Sequence, residues 1–183
     1  MKNNIITLLI IFLSISLNAQ DKYITRNGNI NFEASVATFE AIKASNKSVT
    51  ALLNTKNGDF ATLVLIRGFK FKIALMEEHF NENYMESDDF PKATFKGTLL
   101  DFDLEKIKTQ SNDYILKGAL TIHDKTQKIK TLCTLKFASN KILMNGVFKI
   151  NLADYDIKIP SIVKGKISEE VTIDLDFELS PKK

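Results

Sequence analysis

Two histidines and one cysteine are the side chains of this sequence with the most versatile chemistry. His79 and His123 are candidate bases or metal ligands, and Cys133 is a candidate nucleophile. The histidines lie on different predicted elements, and neither has a carboxylate or cysteine at the spacing of a metal site. Cys133 lies on the apolar side of a predicted strand, which favours a buried and inert thiol. We therefore expect no catalytic residue, no metal and no cofactor.

The charged residues also point away from several classes of function. The chain carries 25 Lys and Arg and 22 Asp and Glu, and the two signs are interspersed. Paired acids such as Asp88-Asp89 and Glu169-Glu170 are consecutive, so in extended chain their side chains point apart and into solvent. A nucleic-acid-binding protein presents a basic face, and the sequence contains no basic block that would form one. We therefore expect no nucleic-acid partner.

The first residues have the features of a secretory signal peptide. Lys2 is followed by the uncharged apolar run of residues 5–17 and by the small Ala19. The run is shorter than the roughly 20 residues that a membrane-spanning helix needs. We therefore expect residues 1–19 to be removed on export and residues 20–183 to form one domain, with no stable membrane anchor.

Residues 20–183 are dominated by strict alternation of apolar and polar side chains, which is typical of half-buried β-strands. In the last strand, Val171, Ile173 and Leu175 alternate with polar and acidic residues. No helical stretch is long enough for repeated parallel crossovers, so the predicted sheet is antiparallel. Its seven or eight strands fit either a sandwich or a closed barrel. The predicted strands are residues 29–36, 49–55, 60–67, 93–103, 114–123, 129–137, 142–152 and 171–179.

Residues 74–85 break this alternation. Met76, Phe80 and Tyr84 recur every fourth residue, which predicts a short helix with these three side chains along one side. Asp88 to Pro91 ends it, because proline disfavours helix in the preceding residue. A further helical turn is predicted at residues 38–44.

Three glycines lie on the apolar side of the strands. A glycine within a strand marks a bend or the close approach of another group, so these glycines indicate sheet curvature, space for a ligand, or both. The apolar side carries almost no charge, and a hydrocarbon chain would fit a cavity lined by it. A filled core needs the same residue types, so the pattern alone leaves both possibilities open. The predicted ligand-binding residues are Phe32, Phe95, Gly97, Leu99, Leu116, Gly118, Leu120, Leu135, Phe137, Met144, Gly146 and Phe148.

Four ordered segments resemble the YceI-like family of secreted bacterial proteins. Residues 78–87 followed by 90–95 (FPKATF) resemble the helix of that family and the strand after it. Residues 118–123 (GALTIH) with Thr126 resemble its G-x-L-T-I-H-G-x-T-K signature, and residues 154–157 (DYDI) resemble its D-[FY]-G-[IL] motif. The alternating C-terminal strand is the fourth match.

This resemblance implies an all-β, mainly antiparallel fold, namely an extended eight-stranded lipocalin-like β-barrel with one short helix. It also implies that a polyisoprenoid chain occupies an internal channel. Two family glycines are replaced, by Asp124 and Asp156. Both positions lie in predicted turns, where aspartate tolerates unusual dihedral angles.

Our leading hypothesis is a non-catalytic carrier or store of an isoprenoid lipid, polyprenyl or quinone-type, in the periplasm or, as an alternative, secreted. A stress-related structural or interaction module with a filled barrel and no lipid is the first alternative. An enzyme acting on a lipid, with His79 or His123 as base, is the second. An open cavity distinguishes the carrier from the filled barrel, and the enzyme requires a histidine beside a carboxylate at the cavity mouth. The oligomeric state is unknown from the sequence.

Overall fold

The computed structural model describes residues 21–36 and 38–182, so the predicted signal peptide lies outside the described residues. None of the helices in these ranges is both long and apolar enough to cross a membrane. The α-helices are α1 (Ala74–His79), which continues as a π-helical turn over Phe80–Tyr84, and α2 (Leu104–Thr109). Short 3-10 helices span Ile66–Gly68, Leu152–Tyr155 and Ser161–Val163. The strands are β1 (Lys22–Ser35), β2 (Lys43–Asn54), β3 (Asp59–Leu65), β4 (Lys70–Phe71), β5 (Lys92–Leu99), β6 (Asn112–Ile122), β7 (Lys125–Ala138), β8 (Lys141–Asn151) and β9 (Ile167–Pro181).

Eight of these strands form a closed antiparallel barrel. Their order around the barrel is β1-β9-β8-β7-β6-β5-β3-β2, and pairing between β1 and β2 closes the ring. The short β4 pairs only with the beginning of β2, through Ala44 opposite Phe71 and Ser45 opposite Lys70. This confirms the predicted fold class. Closure pairs each long strand with a neighbour on both sides, which protects most of the sheet edges. Between β7 and β8 the ladder runs only from Cys133 opposite Gly146 to Ala138 opposite Lys141, so the first half of β7 and the last residues of β8 separate.

Tight turns connect the later strands. His123 and Asp124 both have positive φ, 50° and 56°, between the paired residues Ile122 and Lys125. Two consecutive positive φ values are typical of a type I′ hairpin turn, whose twist matches that of the strands. Asp156 also has a left-handed φ of 57°. The two aspartates that replace family glycines therefore adopt the backbone conformation for which glycine is favoured.

The helical predictions are confirmed in one place and wrong in another. Residues 74–84 are helical as predicted, in α1 and the π-helical turn after it. Residues 38–44 are not: a turn at 38–39 is followed by residues 40–42 without regular secondary structure, and β2 begins at Lys43. The backbone N–H of Ala34 donates to the carbonyl of Ile42 over 2.9 Å, and Ala44 pairs with both β1 and β4. These ladder hydrogen bonds take the backbone groups that a helical turn would have used.

The interior of the barrel is solid at one end. There, inward side chains of β2, β5, β7, β8 and β9 are completely or almost completely buried, and α2 covers this end with the buried Ile107. We call this region the packed end. Its central side chains are Leu53, Leu99, Leu135, Met144, Phe177 and Leu179.

Candidate functional site

A cavity of about 430 Å³ occupies the other half of the barrel interior. Every barrel strand except β2 contributes to its wall, and α1 and the loop before β2 complete it. Phe39, His79 and Lys166 line the cavity and are exposed to solvent, so the cavity opens to solvent between α1, the loop before β2 and the start of β9. We call this opening the mouth. Small-molecule sites in proteins typically measure roughly 300–1,000 Å³, so this cavity is large enough for a ligand.

The wall of the cavity is apolar and carries charge only at the mouth. Among the lining residues that the structure describes, the ionisable ones are Glu40, His79 and Lys166, all exposed, and Tyr84, whose pKa burial raises above the usual value. Deeper polar groups are threonine hydroxyls, and that of Thr131 donates to the carbonyl of Val147 over 3.2 Å. Such a wall removes hydrocarbon from water and makes few directional contacts.

Four phenylalanine rings form a cluster at the mouth. The ring of Phe80, on the helical segment, lies 5.4 Å from that of Phe32, 5.7 Å from that of Phe69 and 5.1 Å from that of Phe71, measured between centroids. Phe32 in turn contacts Phe69 and Phe71 edge to face. All four rings line the cavity. The cluster therefore both holds the helical segment on the barrel and forms part of the binding surface.

Glu77 fixes α1 to β4. Its carboxylate forms an ion pair with the Lys70 ammonium and accepts the backbone N–H of Phe71 over 3.2 Å. The hydrogen bond from Lys70 holds the pKa of Glu77 below the usual value. The contact is a second attachment of α1, made by polar groups of Lys70 and of the Phe71 backbone and not by a ring.

The structure divides the predicted ligand-binding residues between the two halves of the barrel. The side chains of Phe32, Phe95, Leu116, Leu120 and Phe148 line the cavity. The remaining seven lie outside the lining, four of them with their side chains in the packed end. The same face of each strand runs through both halves, so alternation could not separate a cavity wall from a filled core. These seven are Gly97, Leu99, Gly118, Leu135, Phe137, Met144 and Gly146.

The space beside the strand glycines is occupied by backbone and side-chain atoms of the protein itself. The Cβ position at Gly97 is 2.4 Å from the carbonyl oxygen of Lys117, and that at Gly118 is 2.4 Å from the carbonyl oxygen of Lys96. A Cβ atom at Gly97 or Gly118 would lie 2.6 Å from Cζ of Phe95, and one at Gly146 would lie 2.8 Å from Sγ of Cys133. Gly97 and Gly118 are directly paired across β5 and β6. Of the two interpretations of these glycines, space for a ligand does not fit these contacts, because atoms of the protein occupy that space. Sheet curvature stays a prediction.

Some lining residues were absent from the predicted site. Met76, Phe80 and Tyr84 all face the cavity, together with Val64 on β3 and Ile173 on β9. Their spacing correctly placed the first three on one side of a helix, but it carried no information about what that side covers. The alternation of polar and apolar residues in β3 and β9 likewise identified the inward-facing residues, but it did not show which of them line the cavity and which lie in the packed end.

The two histidines lie in different surroundings. His79 lines the mouth and is exposed, whereas His123 is buried and lies outside the cavity lining. Nε2 of His123 is 3.0 Å from Oε2 of Glu86, and its ring centroid is 4.0 Å from that of Phe90. The hydrogen-bonded histidine–carboxylate pair of the described residues is thus His123 with Glu86, outside the cavity lining. Glu40 lines the mouth with His79, but no hydrogen bond or ion pair joins these two side chains. Within residues 21–36 and 38–182, no group of three or more His, Cys, Asp and Glu side chains is arranged to hold a metal ion.

Cys133 has the surroundings of an inert thiol. It is completely buried in the packed end, and this burial raises the pKa of its thiol to about 12. The thiolate is the nucleophilic form of cysteine, so near neutral pH the side chain acts as a small apolar group.

Comparison with known proteins identifies the family. The sequence profile of the YceI-like domain matches residues 21–179. The chain belongs to the YceI-like domain family. No curated protein sequence matches this YceI-like chain significantly.

Solved structures share the fold of this YceI-like protein. A polyisoprenoid binding domain from Saccharophagus degradans, implicated in plant cell wall breakdown, is 15% identical with a TM-score of 0.75, covering 88% of this chain and 99% of that domain. BcnA from Burkholderia cenocepacia is 14% identical with a TM-score of 0.68, covering 83% and 96%. The YceI protein from Campylobacter jejuni is 14% identical with a TM-score of 0.64, covering 79% and 88%. At these identities the comparisons establish the fold, and the barrel described above agrees with it.

Proposed function

We propose that this protein binds a long apolar isoprenoid lipid in the barrel cavity and catalyses no reaction. The observation that carries the proposal is the apolar cavity of about 430 Å³ with an opening at one end. Burial of apolar surface contributes roughly 25 cal/mol per Å². A hydrocarbon tail could therefore be held without ionic or metal contacts, and the cavity wall offers only hydroxyl groups below its mouth.

The choice of an isoprenoid over other apolar ligands rests on the family. The Saccharophagus degradans domain is described as polyisoprenoid-binding, and its fold covers most of this chain. The apolar wall is compatible with a polyprenyl or a quinone-type tail. A barrel filled throughout, which is the alternative from the sequence, accounts for the packed end but not for the cavity.

The absence of catalysis is supported by the separation of the reactive groups. His79 and Glu40 both line the mouth but form no hydrogen bond or ion pair, and the carboxylate of Glu86 pairs with His123, which lies outside the lining. Cys133 is buried in the packed end with a raised pKa. Among the described residues, no hydrogen-bonded histidine–carboxylate pair, the arrangement that orients a general base, therefore lines the cavity.

We place the protein in the periplasm as a carrier or store, with secretion as the alternative. The basis is the sequence of residues 1–19, which has the order of a secretory signal peptide. A closed barrel that shields a lipid tail from water would suit either transport or storage in an aqueous compartment.

A tryptophan reporter tests the proposal, because the chain contains no natural tryptophan. Phe148→Trp places an indole on the cavity wall, and Phe137→Trp places one beyond the cavity as a matched control. On titration with geranylgeraniol, we expect a saturable blue shift of fluorescence in the first variant and none in the second. An unchanged spectrum in the Phe148→Trp variant, or equal changes in both variants, would contradict binding in the cavity.

A further inference from the structure

The barrel interior changes abruptly from hollow to solid part-way along its strands. On β9, Ile173 and Leu175 line the cavity, whereas the next inward residue, Phe177, is completely buried and outside the lining. On β6, Leu116 lines the cavity, but the preceding inward residue Tyr114 does not. The cavity thus ends part-way along the barrel and does not run through to the packed end.

Three aromatic rings form the boundary. The ring of Phe60, on β3, lies 6.2 Å from that of Phe95 on β5 and 5.9 Å from that of Phe177 on β9. β3 and β5 are neighbours in the sheet, whereas β2 and β1 separate β3 from β9, so the contact between Phe60 and Phe177 reaches across the barrel interior. Phe60 and Phe95 line the cavity, and Phe177 lies beneath them. We call these three rings the ring floor.

Glycines hold the ring floor in place. Cζ of Phe95 occupies space within 2.6 Å of the Cβ positions that residues other than glycine would have at 97 and 118. Cδ1 of Phe177 is likewise 2.6 Å from the Cβ position at Gly28. Two of the three rings are therefore seated directly against backbone. Side chains in a close-packed interior cannot swing aside without displacing their neighbours, so a ligand entering the pocket meets a fixed barrier.

The size of the pocket above the ring floor limits the ligand. A cavity of roughly 150 Å³ holds one benzene ring, so on this scale a cavity near 430 Å³ holds roughly 15–20 carbon atoms. This corresponds to roughly three or four isoprene units.

We infer that the ring floor sets the length of isoprenoid chain that this protein can enclose, at roughly three or four units. This inference rests on the proposed function. Each unit added to a shorter chain buries more hydrocarbon and strengthens binding. Units beyond the limit remain outside the mouth and add little. Phe60 and Phe95 are then the residues that determine length specificity.

The test compares geraniol, farnesol, geranylgeraniol and geranylfarnesol, which differ successively by one isoprene unit, in displacement of a fluorescent apolar probe. For the unaltered protein we expect affinity to rise by at least about tenfold per unit up to geranylgeraniol, since each buried CH₂ contributes substantially. Geranylfarnesol is expected to bind within about threefold of geranylgeraniol, because its last unit gains no burial.

Phe95→Ala removes the ring that rests on Gly97 and Gly118 and so deepens the pocket. In this variant we expect geranylfarnesol to bind at least about fivefold more tightly than geranylgeraniol, because the last unit now becomes buried. Phe60→Leu is a milder variant that deepens the pocket in the same direction if Phe95→Ala fails to fold. Phe137→Ala, beyond the cavity, is the control and should keep the original length profile.

The outcomes separate the two proposals. An unchanged length profile in folded Phe95→Ala or Phe60→Leu protein would overturn the role of the ring floor and leave lipid binding intact. Continued gain in affinity beyond geranylgeraniol in the unaltered protein would also overturn it. Failure of every prenyl alcohol to displace the probe from the unaltered protein would overturn the proposed function itself, and the length limit with it.

Discussion

Replacing Phe80 with alanine removes the ring that joins the helical segment to the aromatic cluster at the mouth. That ring makes three aromatic contacts, with centroid distances between 5.1 and 5.7 Å. Full burial of a phenylalanine is worth roughly 1.5–3 kcal/mol, and each aromatic pair adds roughly 0.5–1.5 kcal/mol. Phe80 is only half-buried. Taking half of the burial value and the low end for each pair, we expect Phe80→Ala to lower the free energy of unfolding by about 2–3 kcal/mol.

Urea unfolding followed by far-ultraviolet circular dichroism measures this change. Leu75→Ala is the matched control, because Leu75 lies on the same helix with 56% of its surface exposed. We expect this exposed substitution to change stability by less than about 0.5 kcal/mol. If both variants are equally stable, the ring cluster does not hold the helical segment on the barrel, and our description of the mouth is refuted.

Thr62→Asp places a carboxylate on the apolar cavity wall, whereas Leu63→Asp places one on the outer surface of the same strand. We expect only Thr62→Asp to weaken the binding of geranylgeraniol, by at least about tenfold, because a lipid tail would then bury an unpaired charge. Equal affinities of the two variants in calorimetry would contradict this. The pKa of Cys133, raised to about 12 by burial, keeps the thiol protonated near neutral pH. We therefore expect iodoacetamide to modify the urea-unfolded but not the native protein, and rapid native labelling would disprove it. The Asp103 side chain accepts the backbone N–H of Glu105 over 2.9 Å at the start of α2. We expect Asp103→Ala to lower the free energy of unfolding, measured in urea, by about 0.5–2 kcal/mol. An unchanged free energy of unfolding would argue against this helix cap.

The strands were predictable because each barrel strand has one solvent-facing side and one apolar, inward-facing side along its whole length. Val171, Ile173, Leu175 and Phe177 are inward-facing neighbours on β9, as their alternation indicated. The short elements were harder. α2 spans six residues, too few for a helical period to be visible, although the cap at Asp103 was a usable signal. Ala44 is a good helix former, but its pairing with two strands outweighs that local preference.

The location of the cavity was not predictable from alternation. Leu116 lines the cavity and Leu135 is solidly packed, although both are leucines on the inward side of neighbouring strands. The difference arises from residues distant in sequence: Phe60, Phe95 and Phe177 meet across the barrel and divide it. Their meeting depends on the closed strand order and on glycines that let the rings approach backbone. The alternation pattern of a single strand shows neither the order of the strands around the barrel nor which rings approach the glycines.

Native mass spectrometry of the protein purified from its native host tests most directly whether the cavity holds an isoprenoid lipid. We expect a species heavier than the protein by the mass of one isoprenoid, with the same lipid recovered by solvent extraction. The species should be lost in the Thr62→Asp variant and retained in Leu63→Asp. A lipid-free mass alone, with no complex formed after addition of geranylgeraniol, would contradict lipid binding.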